Sequence, residues 1–188
     1  MARMPSSPRQ GSRARRPVST HGFTLVEISV TLSVLALMVA IGLPSLREFR
    51  ARQQASATTN LLMSHFASAR MTAISHNVPV VVCPSDGAGN CRNGTDWGGH
   101  WLSFRDPDGN REPDEGNDIY RNEAAPDAPS IRVVSSQGRR HVRYQPTGMS
   151  YGTNLTIRIC YDGRVASSVV LNNTGRPRAV RGNLKTPC

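Results

Sequence analysis

Two guanidinium groups separated by one proline, in Thr174-Gly175-Arg176-Pro177-Arg178, are the residues of this chain best suited to hold a partner. A guanidinium is a planar fork that meets phosphate oxygens through two hydrogen bonds at once, where an ammonium offers only a point charge. Proline restricts the backbone between the forks, so both can point outward with less ordering on binding. Gly175 permits a turn just before them. The surroundings share their sign: residues 130–188 hold ten basic side chains and one acid, 10 − 1 = +9, and arginine predominates over lysine. Residues 86–129 hold four arginines and ten acids, 4 − 10 = −6. A polyanion is the natural partner of the basic third, and DNA held this way binds with steep salt dependence. Charge alone also fits a solvated face, attraction to anionic lipid, or an acidic partner subunit.

The other candidate groups narrow the chemistry. Asp106, Asp108, Asn110, Glu112, Asp114 and Glu115 could gather oxygen ligands for calcium, but Gly109 is out of place for an EF-hand loop, whose glycine falls at the sixth position. An acidic hairpin turn is the better expectation. His65, His76, His100 and His141 have no metal-ligand spacing. No nucleophile, base and orienter suggest themselves, so the expectation is a protein that is no enzyme and needs no metal or cofactor. Cys83, Cys91, Cys160 and Cys188 lack C-x-x-C spacing, and in a chain expected to leave the cytosol they read as disulfides. Three connectivities are open; the favoured one joins Cys83 to Cys91 across a Gly/Asn-rich loop and Cys160 to Cys188 at the tail.

The elements that must carry these groups begin at Gly22-Phe23-Thr24-Leu25-Val26-Glu27. Arg3, Arg9, Arg13, Arg15 and Arg16 precede it without an acid, and residues 28–46 follow without a charge. A bilayer core takes roughly 20 mostly apolar helical residues, so this run is long enough to span. A secretory signal has a shorter apolar core of about 7–15 residues and a small-residue cleavage site after it, and neither fits. The basic flank places the leader on the cytoplasmic side and the bulk of the chain outside. Glu27 is the odd residue. A carboxylate inside an apolar span costs about 2.5–3.5 kcal/mol and wants a partner, and cleavage after Gly22 would supply one, the amine of Phe23 on a neighbouring subunit. The formal charge of +10 includes the five leader arginines, so the remainder carries 10 − 5 = +5.

Past Pro44, Leu62, Phe66, Ala69 and Ala73 recur at the spacing of a helix packed on one face. Gly42 and Pro44 mark a kink, and the helix should end near Asn77, because Pro79 biases Val78 to an extended backbone. Short runs at 78–82, 100–105, 131–135, 142–145, 155–160 and 165–171 read as strands separated by Gly, Pro, Asn or Asp. Trp97, Trp101, Phe104 and Tyr144 are the candidates for the core or its margin. The fold class is α+β, a long N-terminal helix laid on antiparallel sheet.

The Gly22 to Glu27 register resembles the processing site of type IV prepilins and pseudopilins, with Gly before the cut, Phe after it and Glu at the fifth position beyond. The resemblance implies that a prepilin peptidase removes residues 1–22 and N-methylates Phe23, and that Glu27 guides assembly with other major and minor pilins. Together with the Val-rich strand into Cys83-Pro84-Ser85, the Trp97 to Phe104 segment followed by Asp106, and the Gly-Arg-Pro-Arg tail, the chain is similar to the FimT/GspH minor pilins, closest to the FimT branch. It implies a pilin-like fold: an assembly and membrane helix over 23–46, its amphipathic continuation over 47–77, and a β-rich outer domain over 78–188. The protein would sit in the bacterial inner membrane and then in a pilus. In the FimT branch a Gly-Arg-x-Arg tail is implicated in binding extracellular double-stranded DNA for natural transformation, which carries over to Gly175, Arg176 and Arg178. Arg181 and Lys185 join them on charge and proximity. The alternative is a structural minor pilin or GspH-like secretion pseudopilin that primes or caps assembly and binds no DNA.

Overall fold

A computed structural model describes residues 22–188; the leader with its five arginines lies outside the described residues up to His21. Helix α1 (Leu25–His76) is followed by strands β1 (Val80–Ser85), β2 (His100–Arg105), β3 (Ile119–Ala124), β4 (Ile131–Ser135), β5 (Val142–Tyr144), β6 (Leu155–Tyr161), β7 (Arg164–Leu171) and β8 (Pro177–Arg181), with a 3-10 turn at Gly116–Asp118 before β3. The chain divides into two units at Leu43 and Pro44.

In the first unit, α1 opens on Thr24, whose Oγ1 accepts the Glu27 N–H at 3.2 Å, and Glu27 adds an acid to the first turn where the helix dipole favours one. Near its N-terminus the helix is long and apolar enough to cross a membrane. Its polar side chains are answered locally: Ser29, Thr31 and Ser33 donate to the carbonyls of Val26, Ile28 and Ser29 at 2.7–2.9 Å. A hydroxyl bonded to its own helix brings no unsatisfied polar group into hydrocarbon.

The second unit holds two four-stranded antiparallel sheets, in the orders β3-β2-β1-β5 and β4-β6-β7-β8. Helix α1 buries Ala55, Leu62, Phe66, Ala69 and Ala73 into one core with Val80, Val82, Trp97, Trp101 and Tyr144 from or beside the first sheet and Leu155, Ile157, Ile159, Val169 and Leu171 from the second. The four anticipated aromatics are all fully buried, and Phe66 meets the Trp97 ring at 5.8 Å. The helix ends at His76, as expected near Asn77: Asn77 takes a left-handed φ of 52° and the Val78 N–H reaches back to the Ala73 carbonyl at 3.3 Å, a Schellman-type stop.

Strand β1 begins at Val80, two residues later than the 78–82 reading, and runs on through Cys83-Pro84-Ser85, because the helix cap occupies Asn77 and Val78. All six of its residues are buried. Val80 and Val82 face the main core, while Val81 and Cys83 join Leu102 and Phe104 in a second cluster beneath the loop closed by the Cys83–Cys91 disulfide. A strand covered on both faces loses the polar alternation of a half-exposed one. His65 is fully buried against Trp101 and bonds Glu123 at 3.2 Å. Burial holds its pKa below the ordinary 6.5, although the Glu123 carboxylate pulls the other way.

Candidate functional site

Strand β8, absent from the sequence reading, carries Arg178, and Arg176 immediately precedes it. It is the edge of the second sheet and pairs with β7 from Leu171↔Pro177 to Ser167↔Arg181. Proline suits that first position, because an edge strand tolerates a residue with no N–H to give. The connecting turn closes through the Gly175 N–H donated to the Asn172 carbonyl at 3.0 Å. It is seated on the β5–β6 loop by a second bond, from the Ser150 N–H to the Asn173 carbonyl at 3.0 Å.

Gly175 is buried with φ +74°, and a Cβ there would run into the Gly148 carbonyl and lie 3.0 Å from the Tyr144 ring. The same Gly148 carbonyl accepts a bond from Arg70 Nε of α1 at 2.8 Å. The glycine is therefore a packing requirement, and its service to the site is to fix the turn from which Arg176 and Arg178 emerge. Both arginines are exposed, and neither makes an ion pair or side-chain hydrogen bond among the described residues.

The remaining two residues grouped with them are not brought to the same place. Arg181 is three residues from Arg178 along β8, so the pleat turns it to the opposite face. There it lines a groove with Arg52, Ser56 and Asn60 of α1. Lys185 lies beyond β8, where the tail folds back over the β6–β7 turn: the Val165 N–H donates to Thr186, the Cys188 N–H to Gly163, and Arg164 Nη1 to the Leu184 carbonyl. Cys188 is bridged to Cys160 there, with Cα atoms 6.1 Å apart, as Cys83 and Cys91 are at 5.6 Å. Strand β8 carries the chain from one end of the sheet to the other, so nearness to Arg178 in sequence is not nearness in space.

The positive third is also less free than its count suggests. Arg139 is buried and spends its donors on His141, Ser150 and Thr153 carbonyls and the Ser150 hydroxyl; burial lowers its pKa. Arg143 Nε pairs with the buried Asp106 at 2.6 Å, tying the basic third to the acidic loop. In that loop Asp106 also accepts the Arg111 N–H, Asp108 the Asn110 N–H and Asp118 the Glu115 N–H. Arg105 holds the Asp118 carboxyl below its ordinary range. Such bonds are those of an acidic turn built on its own backbone. Register, which sequence does not print, adds two residues: Val134↔Arg158, Arg158↔Ser168 and Ser168↔Val180 put Arg158 on the same sheet face as Val180 and hence Arg178, and Arg132 lies on that face two residues from Val134.

Residues 58–175 match the family described as type II transport protein GspH. The match ends at Gly175, so Arg176 and Arg178 lie just beyond it. The fold resembles the type IV minor pilin FimU of Pseudomonas aeruginosa (strain PAO1) in two crystal forms. The first is 15% identical, with a TM-score of 0.54 over 74% of this chain and 96% of that one. The second is 14% identical, with a TM-score of 0.51 over 71% of this chain and 96% of that one. No curated protein matches the chain.

Proposed function

The chain belongs to the type II transport protein GspH family, and from that premise we propose that it is a minor type IV pilin that captures extracellular double-stranded DNA for natural transformation. The observation that carries the reading is the pair of exposed guanidinium groups of Arg176 and Arg178, unpaired among the described residues, at the rim of an edge strand and held out by the turn at the buried Gly175. Phosphate contacts of this kind position a duplex without reading its bases. A mobility-shift titration of the full-length protein in detergent, with duplexes of unrelated sequence at stepped salt, tests it. Binding should be similar across sequences and weaken steeply with salt. No binding at low salt would favour the structural reading, a priming or capping minor pilin or secretion pseudopilin, which the GspH match over 58–175 supports without needing the arginines.

A prepilin peptidase cuts between Gly22 and Phe23 and methylates the new amine; the protein waits in the inner membrane and then joins other pilins, Glu27 meeting the Phe23 amine of a neighbour. Support comes from the Gly22 to Glu27 register and the apolar helix that follows it. Mass spectrometry of protein from assembled pili should find methylated Phe23 as the first residue. A Gly22 substitution should leave the leader attached, and an intact leader in assembled protein would sink the assignment.

A further inference from the structure

Across the outer face of the second sheet three arginines fall on one diagonal. Arg178 of β8 lies in the row Thr156–Val170–Arg178. Arg158 of β6 lies in the next row, Val134–Arg158–Ser168–Val180, and Arg132 of β4, opposite Cys160, in the row after that. Arg132 and Arg158 are diagonal neighbours on adjacent strands, about 7–8 Å apart at the backbone. All three are exposed, and none makes an ion pair among the described residues. Asp96, whose carboxyl feels Arg132, is already bonded to Arg92 at 2.8 Å. Between Arg132 and Arg158 runs a groove of about 360 Å³, lined also by Thr95, Ser136 and Gln137, whose side chains add neutral donors.

We infer that this diagonal is the bed on which the duplex lies, with Arg158 and Arg132 as phosphate contacts additional to Arg176 and Arg178. The inference rests on the DNA-binding reading above and extends it from a tail motif to a sheet face. Three strand spacings and four residues of rise separate Arg132 from Arg178, a path of about 19 Å. That is the length of about six base pairs of one strand at 3.4 Å each. A backbone followed over that distance is gripped at both ends of the face, which a two-arginine turn alone cannot do. Val180, Val170 and Val134 alternate with the arginines and leave the bed otherwise uncharged, so no carboxylate on these strands opposes the phosphates.

The test uses the full-length protein in detergent and 20-base-pair duplexes, with affinity followed by fluorescence anisotropy at stepped salt. R132Q/R158Q should lower the slope of log affinity against log salt by about 1.8, two contacts at roughly 0.9 each, with circular dichroism and melting midpoint unchanged. R50Q/R111Q removes the same charge away from the sheet and should leave the slope as it was. S168E keeps every arginine but sets a carboxylate opposite Arg158, and it should also flatten the slope, which keeps the test open if the double variant misfolds. Three outcomes separate the ideas. No binding by the unmodified protein sinks the DNA reading itself. Binding with R132Q/R158Q and S168E at the unmodified slope sinks only the bed. An equal loss in R50Q/R111Q assigns the effect to net charge and overturns the bed as well.

Discussion

Gly175→Ala is expected to unseat the β7–β8 turn and take DNA binding with it, although no charge is touched. Alanine at φ +74° carries the left-handed penalty of roughly 1–2 kcal/mol for an L-residue. Its methyl then meets the Gly148 carbonyl, a backbone atom pinned by Arg70, and crowds the Tyr144 ring. Overpacking of this kind typically adds about 1–3 kcal/mol. The sum, about 2–5 kcal/mol, should appear as a clear fall in the thermal midpoint of the globular unit, followed by circular dichroism. Gly175→Asn separates the two causes: asparagine tolerates the left-handed backbone but brings the same Cβ, so it should fare little better. A midpoint unchanged in both variants would mean that the turn does not rest on Gly148 as described.

R176Q/R178Q is expected to do the reverse, sparing the fold and removing function. Both side chains are exposed and unpaired among the described residues, and such surface changes usually move stability by only about ±0.5 kcal/mol each. The substitution leaves the backbone of β8 untouched, so the ladder to β7 persists. If each guanidinium holds one phosphate, the salt slope should fall by about 1.8 and the loss should be similar for unrelated duplexes. DNA uptake by cells carrying the variant should drop while pili still assemble. A double variant with unchanged salt dependence would place the receptor surface elsewhere.

How much of this was legible beforehand depends on how much of each element is buried. The stripe Leu62, Phe66, Ala69, Ala73 and the valine run of β1 announce themselves because every apolar residue in them is used. Strands β3 and β8 do not: at the edges of their sheets, Ile119-Tyr120-Arg121-Asn122-Glu123-Ala124 and Pro177-Arg178-Ala179-Val180-Arg181 bury no residue fully, whereas the other two edge strands, β4 and β5, each bury two and could be read. An edge strand is held by backbone bonds to one neighbour, and those leave little trace in residue type. The same limit governs the site. Arg176 and Arg178 could be paired from their spacing, because i and i+2 share a face of any extended segment. That Lys185 departs to the far end of the sheet, that Arg181 turns to the opposite face, and that Arg158 aligns with Arg178 across two strands are facts of register, settled by the turn at Gly175 and the bulge between Ile159 and Cys160.

The bridge between Cys160 and Cys188 also decides how the molecule bears a pull. A load applied at Arg176 and Arg178 acts on the last strand of the sheet. Were the carboxyl end free, β8 could be peeled from β7 one hydrogen bond at a time, the weakest way to break a ladder. Here the far end of the tail is fastened covalently to β6, two strands inward, while the near end is anchored at the Asn172 to Gly175 turn. With both ends held, the five paired positions from Leu171↔Pro177 to Ser167↔Arg181 are strained together in shear. The edge strand is thereby built to resist tension as a unit.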